Sequence, residues 1–196
     1  RRLDCPRGRG MGGSSSINGM VYVRGNAQDF ERWAALGAYG WGYDAVLPYF
    51  KKAQGSRAGS HADLARGFAG PLTTTNGVMT NPLYNRFIEA AQQAGYPYRE
   101  DLNDGVQEGF GPLPMTVGDG VRQSSARAYL PHSRSNLRIL KHAQVTKVAV
   151  RDGKANAVEV KIGRRQITVD AAQEVILSAG SINSPQLLML SGIGEP

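Results

Sequence analysis

The residues best suited to ligand chemistry lie in a glycine- and serine-rich segment near the start of the chain, residues 8–18 (GRGMGGSSSIN). Gly12 and Gly13 allow the backbone to approach a bulky ligand closely. Ser14 and the two serines after it offer hydroxyls and N–H groups at a predicted helix start, where the helix dipole favours an anion such as pyrophosphate. Asn18 is predicted to lie one turn further on the same side. On its own, the segment fits a ligand site and an ordinary serine-capped helix equally well.

A second segment of this kind closes the chain, at residues 180–194 (GSINSPQLLMLSGIG). The continuous apolar run before it predicts a strand at residues 174–178, buried on both faces of a parallel sheet. A helix is predicted over residues 184–190. This order places Ala179 and Gly180 at the carboxyl edge of a sheet, where open α/β sheets bind ligands. An ordinary strand-turn-helix unit is the alternative.

The glycines at Gly8, Gly10 and Gly13 match the spacing of a dinucleotide-binding fingerprint. That motif requires a hydrophobic strand that leads directly into the first glycine. Residues 1–7 are instead polar and contain a proline, and the acidic residues about twenty positions later fall in a predicted helix. The fingerprint interpretation is therefore disfavoured.

Hydrophobic periodicity and capping residues predict the elements that would position these segments. Helices are expected at residues 27–36, 43–53, 82–94 and 124–129. Strands are expected at residues 137–140, 145–151, 157–162 and 166–171, with turns at Asp152-Gly153 and Gly163. Glycine-rich loops are expected at residues 55–70 and 101–120.

The composition is that of a soluble globular protein, since 41% of the 196 residues are hydrophobic and 20% are charged. No apolar run approaches the roughly 18 residues of a transmembrane helix. A single cysteine, Cys5, excludes an internal disulfide and indicates a reducing, cytoplasmic compartment, with peripheral attachment to a membrane as the alternative.

A net charge of +7 and the sequence Arg7-Gly8-Arg9-Gly10 raise a rival interpretation, a basic nucleic-acid-binding module. The basic residues are dispersed singly or in pairs and the arginine-glycine unit does not repeat, so no nucleic-acid partner is expected. The three histidines, His61, His132 and His142, have no metal-site spacing, and no metal is expected.

Together, the two segments resemble the signature sequences of the glucose-methanol-choline (GMC) flavoenzymes. Residues 8–31 follow the first signature nearly position by position, with Met11 in place of the usual Leu, Ile or Val. Residues 180–194 follow the second signature throughout. Residues 20–26, 103–111 and 126–130 are similar to those of choline-dehydrogenase-type members.

The resemblance implies an FAD-binding α/β domain with part of an antiparallel-sheet substrate domain. Residues 1–69 and 136–196 would belong to the FAD domain and residues 70–135 to the substrate domain. It further implies oxidation of a primary alcohol by hydride transfer to the flavin, with choline as the first substrate and another alcohol as the alternative. The electron acceptor, oxygen or a respiratory chain, is left open.

The resemblance also implies which residues of this chain contact FAD. They are Gly12, Gly13, Ser14, Asn18, Gly19, Met20, Val145, Ala179 and Gly180. Some relatives attach FAD covalently through a histidine at the position of Ile17, so the cofactor is expected to be non-covalent here. The family's phosphate-binding fingerprint would precede this chain and its catalytic histidine would follow it. No catalytic residue is therefore expected in the chain, which should be inactive alone.

Overall fold

The structure is a computed structural model, and it describes residues 2–59, 65–130 and 135–195. It divides into two compact units, Arg1–Arg134 and Ser135–Pro196. Each unit contains helices and strands, which confirms the predicted mixed class of fold. This division does not test the predicted cofactor and substrate segments, which stay a prediction.

Capping residues begin the helices of the first unit where the sequence predicts them. These helices are α1 (Ala27–Ala35), α2 (Tyr43–Ala53), α3 (Pro82–Gln93) and α4 (Ser125–Tyr129). The side chains of Asn26, Asn81 and Ser124 accept hydrogen bonds from backbone N–H groups in the first turns of α1, α3 and α4. Gly37 and Gly95, both with positive φ, follow α1 and α3. The four predicted helices are confirmed to within one residue at each end.

The strands of the first unit are short and form two small sheets. They are β1 (Gln54–Ser56), β2 (Leu72–Asn76), β3 (Pro114–Met115), β4 (Val117–Gly118) and β5 (Val121–Arg122). β1 is parallel to β2, β2 is antiparallel to β3, and β4 pairs with β5 as a hairpin. The loop predictions for residues 55–70 and 101–120 are wrong at these strands, and the sequence patterns do not predict β2. Such short glycine-, threonine- and proline-containing segments become strands because tertiary neighbours pair with them.

An aromatic cluster joins α1 to α2. Phe30 of α1 is 7% exposed, and its ring meets those of Trp33 and Phe50 edge to face, with centroids 5.2 and 5.7 Å apart. This geometry suits aromatic quadrupoles and adds to the area that the rings bury. The two helices are thereby fixed beside the chain that leads out of the first glycine-serine segment.

The second unit is an antiparallel meander with one helix packed on it. It contains β6 (Ala143–Arg151), β7 (Lys154–Ile162), β8 (Arg165–Asp170) and α5 (Gly180–Leu190). Asp152 and Gly153, with φ of 51° and 72°, form the turn between β6 and β7, as a two-residue hairpin requires. Three of the predicted strands are thus confirmed. Val148 and Val160 of the sheet and Leu187 of α5 are buried.

Two predicted strands of the second unit are absent from the described structure. Residues 137–140 and 174–178 have no strand pairing, and Ile176 is 76% exposed, so the expected burial on both faces is wrong. An apolar run becomes a parallel strand only beside neighbouring strands, and no described strand lies alongside this one. The last helix also begins earlier than predicted, at Gly180. None of the described helices has the length and apolar character needed to cross a membrane.

Candidate cofactor-binding site

The helix predicted from Ser14 is a single turn of 3₁₀ helix, Gly13–Ser16. Gly12 precedes this turn in the left-handed region, with φ of 87°, and Gly13 follows with φ of 52°. The backbone leaves the turn at Ile17, so the longer helix expected through Asn18 does not form. We refer to residues 12–20 as the glycine-serine turn.

Serine hydroxyls hold the shape of the glycine-serine turn. The Ser15 hydroxyl donates to the Gly12 carbonyl (2.5 Å) and the Ser16 hydroxyl donates to the Met11 carbonyl (2.8 Å). The Ser14 oxygen accepts from the Gly8 N–H at 3.1 Å. Side chains that bind nearby backbone groups in this way compete with continuation of a helix. The Ser15 and Ser16 hydroxyls, which the sequence suggests for a ligand, therefore donate to the protein backbone instead.

The glycines of the turn differ in what surrounds them. A Cβ on Gly12 would lie 2.5 Å from the Ser16 hydroxyl and 3.3 Å from the Cβ atoms of Ser124 and Ala126. A Cβ on Gly13 or Gly19 would meet nothing within 4 Å. Gly12 is therefore required by packing, whereas Gly13 and Gly19 leave an open approach to the backbone.

Arg122 of β5 binds the glycine-serine turn from the side. Its Nη1 donates to the Asn18 carbonyl (2.8 Å), the Asn18 Oδ1 (2.9 Å) and the Ser15 carbonyl (3.2 Å). The Asn18 Oδ1 also accepts from the Met20 N–H at 3.1 Å. Both partners are donors only, so the oxygen end of this amide is defined by chemistry. The NH₂ end has no partner among the described residues and remains available to a ligand.

The start of α4 makes a second contact with the turn. The Ser125 N–H donates to the Ser15 hydroxyl oxygen at 2.9 Å. The Ser125 hydroxyl lies 3.0 Å from the same Ser15 hydroxyl oxygen and 3.3 Å from the Gly12 carbonyl oxygen. Together with Arg122, these bonds connect the turn to a segment more than a hundred residues later in the sequence.

Met20 ends the turn in an unusual conformation, with φ of 64°. Its carbonyl accepts from the Thr116 N–H (2.7 Å) and from the Thr116 hydroxyl (3.1 Å). Two residues later the Tyr22 N–H donates to the Pro114 carbonyl at 2.7 Å. These bonds hold the chain beside β3 as it leaves the turn, and they stabilise the left-handed backbone of Met20.

A buried polar cluster anchors the chain beyond Met20. Arg24 is only 5% exposed and donates to the Gln54 Oε1 (2.6 Å) and the Ala65 carbonyl (2.7 Å), while its backbone N–H donates to the Asn103 Oδ1 (2.8 Å). Its guanidinium carbon lies 5.4 Å from the centroid of the Phe50 ring, which favours a cation. The sequence resemblance singled out the neighbourhood of Arg24 but not this buried role.

The cluster continues through an ion pair. Arg66 Nε lies 2.5 Å from the Asp101 Oδ2, with side-chain exposures of 5% and 10%. The other carboxylate oxygen of Asp101 accepts from the Asn103 N–H at 2.9 Å, and Asn103 in turn donates to the Tyr22 carbonyl at 3.1 Å. The cluster thus ties residues 101–103 to the chain that follows the glycine-serine turn.

The phenol of Tyr129, at the end of α4, is partly shielded from water. Burial raises the pKa of Tyr129 above its usual value, and the nearby Tyr22 phenol raises it further. The shift strengthens the preference for the neutral form, so Tyr129 carries no charge at neutral pH.

The remaining predicted contact residues lie in the second unit. Val145 is in β6, an edge strand, beside a register irregularity, and it is 40% exposed. Ala179 and Gly180 lie at the N-terminal end of α5, where the Ala179 N–H donates to the Ser184 hydroxyl at 3.0 Å. The other end of α5 reaches β6, since the Val148 N–H donates to the Ser191 hydroxyl at 2.8 Å.

The structure therefore gathers the predicted residues into two groups, one in each unit. Sequence reasoning missed Arg122 and Ser125, which support the first group. Ser125 falls within the helix predicted at residues 124–129, but its contact with Ser15 has no local signal. His61 and His132 fall outside the described residues, and His142 lies exposed before β6. Within the described ranges, no three His, Cys, Asp or Glu side chains are grouped as a metal would need.

Comparison with known proteins identifies the class of domain to which this mixed fold and its glycine-serine turn belong. The family model described as GMC oxidoreductase matches residues 1–196. The chain belongs to the GMC oxidoreductase family, as the two signature segments predict.

Curated relatives are similar along the whole chain. An oxygen-dependent choline dehydrogenase of Photobacterium profundum is 52% identical over 198 residues, which cover 99% of this chain and 34% of that protein. A protein of the same name from Rhizobium etli is 50% identical, covering 99% and 35%. The chain therefore spans about a third of the length of the curated relatives it matches.

Solved structures show the same fold. Pyridoxine 4-oxidase from Mesorbium loti superimposes with a TM-score of 0.86 at 36% identity, over 95% of this chain and 37% of that one. An FAD-dependent oxidoreductase from Chaetomium thermophilum gives 0.83 at 31% identity, over 92% and 34%. These likenesses agree with the FAD-binding fold and the class of flavoenzyme predicted from the sequence.

The residues present fit a large flat cofactor such as FAD. The open space at Gly13 and Gly19 permits close approach to the backbone, and the Asn18 NH₂ offers a hydrogen-bond donor beside it. Ile17, at the end of the 3₁₀ turn, is 57% exposed and has no nucleophilic atom. The turn can therefore hold a flavin by contact and cannot bond to it covalently through this side chain.

Proposed function

We propose that this chain is the central part of a longer enzyme that oxidises a primary alcohol, choline first, to its aldehyde with non-covalently bound FAD. The observation that carries the proposal is the identity of about half the residues to oxygen-dependent choline dehydrogenases across 99% of the chain. The solved pyridoxine 4-oxidase supports the same reaction class. Oxygen is proposed as the electron acceptor, because the curated relatives are named oxygen-dependent choline dehydrogenases.

The chain's own part in this reaction is to hold and orient the cofactor. Bound FAD supplies the acceptor for the hydride that leaves the alcohol carbon. Gly12, Gly13, Ser14, Asn18, Gly19 and Met20 are proposed to form one contact surface, and Val145, Ala179 and Gly180 another. No base for the hydroxyl proton is proposed among the described residues. The proton-transferring histidine is proposed to lie elsewhere in the full-length enzyme.

A different alcohol is the second candidate substrate. The 36% identical solved structure is a pyridoxine 4-oxidase, so a likeness to the choline dehydrogenases does not by itself fix the substrate. Hydrogen peroxide release should therefore be measured with choline and pyridoxine side by side, using the full-length protein. Turnover of choline supports the first candidate, turnover of pyridoxine alone supports the second, and a colourless protein that binds nucleic acid would favour the rival interpretation.

Flavin release should show that the cofactor is held without a covalent bond. After acid precipitation of the yellow full-length protein, we expect essentially all flavin absorbance in the supernatant, because Ile17 offers no nucleophile. Ile17→His is the matched comparison, since it restores the imidazole through which some relatives bind FAD. A wild-type pellet that stays yellow after precipitation would contradict the proposal.

A further inference from the structure

We infer that Arg122 is a positioning residue for the flavin, acting through Asn18. This inference rests on the proposed function, because it takes the glycine-serine turn as a flavin-contacting surface. Its motivation is a single nitrogen, Arg122 Nη1, that donates to the Asn18 carbonyl, the Asn18 Oδ1 and the Ser15 carbonyl. One side chain from β5 thereby connects Ser15 with Asn18 within the turn.

The effect of these bonds is to choose the orientation of one amide group. An asparagine amide has a donor end and an acceptor end that differ little in shape, so its neighbours decide which end faces where. Arg122 and the Met20 N–H both require an oxygen, and they hold Oδ1 between them. The Asn18 NH₂ is then left as a fixed donor for an acceptor atom of the flavin. Without Arg122, one weak backbone donor would hold the amide, and the NH₂ would lose its fixed direction.

The position of Arg122 supports this role. It lies in the β4–β5 hairpin, opposite Val117, and the next residue's N–H binds the Thr116 carbonyl at 2.9 Å. Thr116 also holds the Met20 carbonyl from the other end of the turn. One hairpin therefore fixes both Asn18 and Met20, two of the residues proposed to contact FAD. The hairpin thereby stabilises the protein surface that is proposed to contact the cofactor.

The test compares full-length variants by FAD affinity, measured as quenching of flavin fluorescence on titration of the apoprotein, and by the visible absorption bands of bound flavin. Arg122→Met should raise the Kd for FAD about tenfold, as loss of one charge-assisted hydrogen bond implies. Arg122→Lys should recover most of the affinity, because all three bonds come from one nitrogen and an ammonium carries three donors. Arg57→Met is the matched control, since it removes an exposed arginine paired with Asp119 of the same hairpin turn.

Two further variants separate positioning from general stability. Asn18→Asp keeps the oxygens that Arg122 and Met20 bind but lacks the NH₂, so it should raise the FAD Kd as much as Arg122→Met while the melting temperature of the apoprotein is unchanged. Adding Arg122→Met to Asn18→Ala should produce no further rise, because Arg122 acts through the amide that Asn18→Ala has already removed. Additive effects, or an Asn18→Asp variant that binds FAD like wild type, would overturn the inference.

These readouts do not use substrate. A wild-type protein that binds FAD but oxidises no alcohol would refute the proposed function and leave the inference about Arg122 intact. Normal alcohol oxidation with equal FAD Kd in Arg122→Met and Arg57→Met would refute the inference alone. Equal loss of affinity in Arg122→Lys and Arg122→Met would also refute it, since that result would assign Arg122 to packing.

Discussion

Replacing Asp101 by asparagine should lower the stability of the first unit by about 3 kcal/mol, the low end of what breaking a buried ion pair costs. The change keeps the size of the side chain but removes the negative charge 2.5 Å from Arg66 Nε, at a position where both side chains are at least 90% buried. A guanidinium out of water loses its hydration, and the carboxylate of Asp101 contributes to the compensation. The neutral amide of the variant supplies only a dipole.

Asp119→Asn is the matched control for this prediction. The Arg57–Asp119 pair has the same 2.5 Å separation, but its side chains are 52% and 75% exposed. Solvent screens this pair, so the variant should differ from wild type by less than about 1 kcal/mol. The free energy of unfolding of the first unit can be measured within the full-length protein by titrating urea and monitoring hydrogen exchange in peptides that cover residues 20–26 and 99–107. Equal losses in the two variants would show that burial does not govern these ion pairs.

Alanine at Gly12 should destabilise the apoprotein by about 3 kcal/mol, whereas alanine at Gly13 should cost only about 1–2 kcal/mol. Both glycines have positive φ, so each substitution carries the backbone penalty of a left-handed residue. Only at Gly12 does the new Cβ press on other atoms, at 2.5 Å from the Ser16 hydroxyl and 3.3 Å from two Cβ atoms near the start of α4. Thermal unfolding of the flavin-free full-length proteins measures this difference.

The same two variants should rank in the opposite order by FAD affinity, with the larger loss in Gly13→Ala. Because the side of Gly13 that would carry a Cβ is open, an alanine there should obstruct the proposed flavin and raise its Kd at least about tenfold. Gly12→Ala should weaken FAD binding mainly indirectly, through distortion of the turn. Should both variants show the same loss in both measurements, the distinction between a packing glycine and a ligand-facing glycine would be wrong.

Local signals predict the helices well because the information for their ends lies in adjacent residues. Asn26 and Asn81 cap the helices that their positions predict, and Gly95 ends α3 as expected. The β6–β7 hairpin is predicted equally well from the sequence, since Asp152-Gly153 is a strong turn signal between alternating strands. In these regions the predicted and observed elements agree to within three residues at each end.

The elements that the sequence predicts wrongly all depend on partners that are distant in the sequence. β1 and β2 are short and polar, and they become strands by pairing with each other and, for β2, also with β3. Residues 174–178 show the reverse case, an apolar run without a paired strand among the described residues. At the candidate site, composition alone reveals the glycine-serine segment, but its true form as a 3₁₀ turn depends on contacts with Arg122 and Ser125.

The bonds from Arg122 and Ser125 to the glycine-serine turn have a consequence for biosynthesis. They join residues separated by 104 to 113 positions, so the turn emerges from the ribosome long before the segment that shapes it. At about 5–20 residues per second, roughly 5 to 20 seconds of translation separate the two. The nascent chain cannot complete the proposed flavin-contacting surface during that interval, so we expect cofactor capture to follow synthesis of the β4–β5 hairpin and α4.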